Sequence, residues 1–141
     1  MTPFVVDTSV VFKWYRQPED EDYVSQAVSI LERYLHGEIE IHVPDLLFYE
    51  LENILQFKES VVSKDGLTIL KETFGLDLQI YPIDLPLAED AYQVSREYKI
   101  TFYDASFVAL SRLLDASFMT ADKKLFEKIQ PHPKIIFLGN V

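Results

Sequence analysis

Residues 101–126, TFYDASFVALSRLLDASFMTADKKLF, decide the fold. Phe107, Val108, Ser111 and Leu114 recur at helical spacing, with Ala105 a turn before Val108, so an amphipathic helix opens near Asp104 and carries that carboxylate in its first turn. The apolar segment Ser117, Phe118, Met119, Thr120 then reads as a short buried strand, and Asp122 follows it before a second helix that starts near Lys123. In open α/β sheets ligands bind beyond the carboxyl ends of the strands, so both acids stand where chemistry is usually placed. Asp is also a preferred N-cap, which gives each acid a purely structural explanation.

Working outward, the same pattern appears at the start of the chain. Residues 3–6 form a short apolar strand, Asp7 ends it, and Thr8 and Ser9 open a helix-compatible segment. A helix is expected over residues 19–35 through Val24, Ala27, Val28, Leu31 and Leu35, with acids at its start and Gly37 beyond its end. Residues 39–43 alternate as a second strand stopped by Pro44. Asp45 is expected to cap a helix reaching about residue 62, with Leu47, Leu51, Ile54 and Leu55 on one side and Glu50 near its first turns. A helix over about 64–74, a strand over 79–83, a helix over 86–98 and a closing strand over 134–138 complete the pattern. Pro82 points to an edge position for the third strand. Five short strands separated mostly by helices imply an α/β fold, a parallel sheet with helices on both faces, because parallel neighbours need crossover connections. The order of the strands does not follow from the pattern.

The 141 residues, 48% of them hydrophobic, fit one domain spanning 1–141 with a continuous core. There is no repeat, low-complexity tract or Gly/Ser linker at which to divide them. No apolar run approaches the roughly 18 residues needed to span a bilayer. The N-terminal MTPFVVDTSVV lacks a basic segment followed by an apolar one, so a cytoplasmic location is expected. Absence of Cys removes disulfides, thiolate metal sites and Cys nucleophiles together. A net charge of -10 argues against attraction of nucleic acid by the whole surface. An enzyme acting on nucleic acid would then need a local basic rim, a bound metal or a basic partner.

Asp7, Glu50, Asp104 and Asp122 occupy comparable settings at strand ends and early helical turns. If they converge, the cost of ionising all of them together pushes carboxylate pKa values up, and a divalent cation offsets that cost. Hard oxygen donors without Cys or a His cluster suit Mg²⁺ or Mn²⁺ rather than zinc. His36, His42 and His132 are too scattered in the chain to suggest a metal site. Glu52, two residues from Glu50, should face away from it into solvent. Asp115 falls at a helix end beyond the motif.

The segments VVDTSV, PDLLFYELENIL, YDASFVAL and FMTADKKL, from Asp7 to Lys124, resemble the signature segments of the PIN-domain family in order and spacing, and among them those of the VapC-type ribonuclease toxins of toxin-antitoxin pairs. The resemblance implies a metal-dependent endoribonuclease in which Asp7, Glu50, Asp104 and Asp122 hold one or two Mg²⁺ or Mn²⁺ ions and water attacks the RNA phosphodiester. Thr8, Ser9 and Thr120 fall beside the acids, where they would fix carboxylate oxygens or bound waters; hydroxyls at helix starts also commonly cap backbone N–H groups. The resemblance further implies a homodimer and a small antitoxin partner whose basic residue enters the acidic site. Lys13, Arg16, Lys58, Arg112, Lys123 and Lys124 are candidates for RNA phosphate contacts, with Trp14, Tyr15 and Tyr103 available to stack on bases. Two other readings stand beside this one. A PIN-like module that binds RNA or protein without cutting is opposed by the full acidic set, which repels phosphate when no cation is held. A phosphatase with an Asp nucleophile is opposed by Asp7-Thr8-Ser9, which lacks a second Asp two residues on.

Overall fold

The first strand, β1 (Thr2–Val6), is buried at three successive positions, Phe4, Val5 and Val6. Side chains alternate across a strand, so consecutive burial means that both of its faces are covered. The computed structural model that shows this describes residues 1–58, 62, 64–132 and 134–141. Around β1 lie β2 (Ile39–Pro44), β3 (Gln79–Tyr81), β4 (Ser117–Thr120) and β5 (Ile135–Phe137) in the order β3-β2-β1-β4-β5, every pair parallel. The chain winds outward from β1 to β3, then returns to β1's other side at β4. The order therefore reverses between β1 and β4, and the crevice at their carboxyl ends is the topological switch point at which such sheets bind ligands.

Seven helices fill the connections among the described residues: α1 (Thr8–Lys13), α2 (Val24–Leu35), α3 (Leu46–Lys58), α4 (Gly66–Gly75), α5 (Leu85–Tyr98), α6 (Phe102–Leu113) and α7 (Lys123–Lys128). The most deeply set is α6, buried at every position from Ala105 to Ser111 between the sheet and α5. It is capped by Thr101, whose hydroxyl accepts the Asp104 N–H at 3.0 Å. Asp104 thus lies in the first turn without being the cap, and its carboxylate is left for other use. β3 is an edge strand, as Pro82 indicates.

The structure shifts several boundaries. The second helix starts at Val24 rather than residue 19, because the acids before it are engaged elsewhere. Glu21 takes hydrogen bonds from Lys13 Nζ at 2.7 Å and Arg16 Nε at 2.8 Å, and the Asp22 carbonyl takes a third from Lys13 at 2.8 Å. Tyr23 then turns through a left-handed conformation into α2. The far end of that helix leaves Leu35 exposed and buries Ile30 instead. As described, α3 runs to Lys58; its expected continuation falls on residues 59–61, which lie outside the described residues, and Val62 stands at a bend. Asp65 caps α4, which delays its start to Gly66, and Asp84 caps α5 from Leu85. Leu138 leaves the last strand for a 3-10 turn, Leu138–Asn140.

Candidate active site

Asp7 ends β1 and caps α1. Its Oδ1 accepts the backbone N–H groups of Ser9 at 3.1 Å and Val10 at 3.4 Å and the Ser9 hydroxyl at 2.5 Å, while Oδ2 accepts the Thr120 hydroxyl at 2.5 Å. The Asp7 N–H extends the ladder to β4 through the Met119 carbonyl at 3.2 Å. Two hydroxyls complete the stitch: Thr120 Oγ1 accepts the Asp122 N–H and Ser9 Oγ accepts the Ala121 N–H, both at 3.0 Å. Asp122 in turn caps α7 through Leu125 N–H at 3.1 Å. Capping and convergence are therefore not alternatives here, since the caps aim these acids at the crevice.

Glu50 reaches the same place from the second turn of α3, where its Oε1 accepts the Thr8 hydroxyl at 2.7 Å. Asp104 arrives from α6. All four acids line one cavity of about 220 Å³ together with Thr8, Ser9, Asn53, Ile54 and Phe107, and no Lys or Arg is among its lining residues.

Concentrated negative charge in a partly dry cavity raises carboxylate pKa values. Asp7, only 6% exposed, is pushed from 3.8 up to about 7, chiefly by burial; the Ser9 and Thr120 hydroxyls oppose the rise, and the charge of Asp104 adds to it. Burial first, then Asp104, raises Glu50 despite the hydrogen bond from Thr8. Asp104 is itself raised by burial and by Asp122, against the bond to Thr101 and the charge of Lys128. It is the acid through which the charges of the others are coupled.

The donors are all hard oxygens, which fits Mg²⁺ or Mn²⁺. Among the described residues no three acids or histidines are already drawn together as a ligand set, so the carboxylates border the cavity as an open ring. Of the histidines, His42 sits between Glu40 and Tyr81, each at 2.9 Å, His132 is buried, and His36 is exposed.

The basic candidates divide. Lys123 and Lys124 are exposed directly after Asp122. Lys13 and Arg16 are tied to Glu21, their side chains 12% and 11% exposed. Arg112 occupies the far end of α6, eight residues from Asp104 and so about 12 Å along the axis. Lys58 is exposed where α3 ends. Trp14 is core, donating its indole N–H to the Ala27 carbonyl at 2.9 Å, and the Tyr15 hydroxyl is engaged by Thr73, so neither is free to stack. Tyr103 is 61% exposed beside Asp104. Glu52 is half-buried rather than exposed, in a groove with Phe48, Phe74 and Ile80.

Two cavity neighbours escape a motif-based reading. Asn53 lies three residues after Glu50, the helical spacing that puts both on one face. Lys128 is one turn beyond Lys124, and its charge reaches Asp104. Thr120→Val, which keeps the shape of this fully buried side chain, is expected to weaken Mn²⁺ binding about 10–100-fold. Calorimetric titration checks it, and an unchanged affinity would remove Thr120 from any supporting role.

Comparison with known proteins places this geometry. The PIN domain family matches residues 4–130. Ribonuclease VapC3 of Pyrobaculum aerophilum is 27% identical over 129 residues, covering 88% of this chain and 92% of that protein. Among solved structures, PAE2754 of the same organism superposes with a TM-score of 0.67 at 20% identity, covering 99% of this chain and 92% of the other. A toxin-antitoxin complex from Klebsiella pneumoniae gives 0.68 at 17% identity, with 95% and 96% covered. The fold is that of these structures, and with a family match across most of its length the chain belongs to the PIN domain family.

Proposed function

We propose that the chain is a Mg²⁺- or Mn²⁺-dependent endoribonuclease, the toxin of a VapBC-type pair. The observation that carries this reading is the single cavity bordered by Asp7, Glu50, Asp104 and Asp122 without a lining cation. Such a ring repels phosphate until a doubly charged ion occupies it. A bound cation supplies a nucleophilic water at neutral pH and offsets the charge that develops on the scissile phosphate.

The chain's own residues do the rest. Asp7, Asp104 and Asp122 hold the cation, with Glu50 beside them or acting through water. Ser9 and Thr120 fix both oxygens of Asp7, and Thr8 fixes one of Glu50. Lys123, Lys124 and Lys128 line the approach from α7 and attract the strand to an otherwise acidic protein.

Cleavage of single-stranded RNA by the purified protein should appear with Mn²⁺ or Mg²⁺ and vanish in EDTA. Asp104→Asn should lower the rate more than about a hundredfold, since even groups that only support a ligand are worth 10–100-fold. No cleavage with either ion would favour a binding module instead, and a trapped aspartyl-phosphate would favour a phosphatase.

The partner assignments have a physical basis of their own. A cavity lined by four acids and no Lys or Arg is a receptor for an Arg of a small antitoxin. For a homodimer, Tyr49, Ile83, Leu85, Phe102 and Tyr103 supply the surface: all are exposed near the first turns of α3, α5 and α6, and all but Leu85 line one apolar hollow. Apolar exposure of that extent favours burial against a second copy. Light scattering should give twice the chain mass, and Tyr103→Arg should shift it toward the monomer. A wild-type monomer would remove the dimer from the reading.

A further inference from the structure

A second cavity, about 400 Å³, opens where the last turns of α5 and α6 meet the starts of β4 and β5, at the end of the sheet opposite the acids. His132, Arg112, Lys134, Glu97 and Asp115 line it. His132 is 8% exposed, and its Nδ1 accepts the Lys134 N–H at 3.3 Å, which assigns the proton of the neutral ring to Nε2. Burial and the charge of Arg112 keep this imidazole below its ordinary pKa, so it is neutral at pH 7. Among the described residues Nε2 is nevertheless buried without a hydrogen-bond partner. A buried donor of this kind needs an acceptor, and its neighbours show what kind.

Arg112 makes no side-chain hydrogen bond among the described residues; Asp90 and Glu97 stand 3.9 Å from it, near enough to steady the guanidinium and too far to engage its N–H groups. Lys134 is held by Asp115 at 2.7 Å. The cavity thus presents an orphan imidazole N–H and a guanidinium whose N–H groups are not hydrogen-bonded among the described residues, with Asp90 Oδ2, likewise without a hydrogen bond, beside it at 3.9 Å. We propose that it binds a single oxyanion of the phosphate class, accepting from His132 Nε2–H and from Arg112 in the manner that guanidinium groups recognise phosphate. The site is separate from the acidic cavity and independent of nuclease activity.

The test follows the His132 ring by nitrogen-resolved NMR of the full chain in EDTA during titration with inorganic phosphate. A saturable shift of Nε2 is expected. By calorimetry, Arg112→Gln and His132→Asn should each weaken binding about tenfold or more, the range of a lost charge-assisted hydrogen bond. His132→Asn retains an oxygen where Nδ1 stood, so the contact to Lys134 survives while the Nε2 donor is gone. Arg112→Gln, at a half-exposed helix end, carries the test alone if His132→Asn fails to fold. Asp7→Asn should leave phosphate binding unchanged. Tighter binding of adenosine 5′-monophosphate than of inorganic phosphate would point to a nucleotide end, and equal or weaker binding to the free ion; both support the class. No saturable shift, binding that survives the substitutions, or binding lost in Asp7→Asn overturns the proposal.

Discussion

Asp7→Asn is expected to abolish RNA cleavage and, in the same protein without a divalent ion, to raise stability. Two consequences of one environment are involved. Asp7 is a cation ligand in the proposed scheme, and the amide that replaces it has no charge to offer. In the cation-free fold the carboxylate is a liability: raising it from 3.8 to about 7 corresponds to about 4 kcal/mol of destabilisation once it is ionised. Asn removes that charge and retains an oxygen for the Ser9 and Val10 donors, so about 2–4 kcal/mol should be regained at pH 8. Urea unfolding in EDTA measures the gain, and an RNA assay with Mn²⁺ measures the loss. A variant that cleaves, or one less stable than the parent in EDTA, contradicts the assignment of Asp7.

The second large effect is the pH dependence of the cation-free parent. Well below its unfolded value of 3.8 Asp7 is protonated in both states and exerts no penalty. As pH rises, the unfolded chain releases this proton first while the fold retains it, so stability falls up to the folded value near 7. The loss from Asp7 alone is about 4 kcal/mol, and Glu50 and Asp104, both raised, add in the same direction. Glu21 works oppositely: burial would raise it, but hydrogen bonds and charge from Lys13 and Arg16 outweigh that and hold it down, so its contribution is lost on acidification. The cation-free protein should therefore be most stable in mild acid, and Mn²⁺ should reverse the decline above pH 6 because it binds only the ionised ring. A flat profile from pH 5 to 8 in EDTA would show that the carboxylates are not confined as described.

The α/β class, the five parallel strands and the edge position of the third could be read from strand-length apolar runs, intervening helical periodicity and one proline. Three of the acids were legible for the same reason, Asp7 and Asp122 following strands and Asp104 lying in a first helical turn, whereas Glu50 sits a turn inside α3. Strand order was not, since nothing local distinguishes a neighbour of β1 on one side from a neighbour on the other. Nor was the role of the acids before α2, because Lys13 and Glu21 meet only after the chain has turned. Trp14 and Tyr15 stood as candidates to stack on bases; the folded chain gives the indole N–H a buried carbonyl and the phenol a buried threonine. Those partners lie on elements whose placement no spacing encodes.

The link from Thr120 to Asp7 joins positions 113 residues apart. On the ribosome, Asp7 and the nearby Ser9 are made before Glu50 and Asp104, and the strand that must lie beside them is still untranslated when those two acids have been added. Before residues 117–122 emerge, β1 has no neighbour on that side and Asp7 has no hydroxyl for its second oxygen. In a nascent chain the charged centre is therefore complete only after residues 117–122 have been added and Asp122 joins the other acids at the cavity.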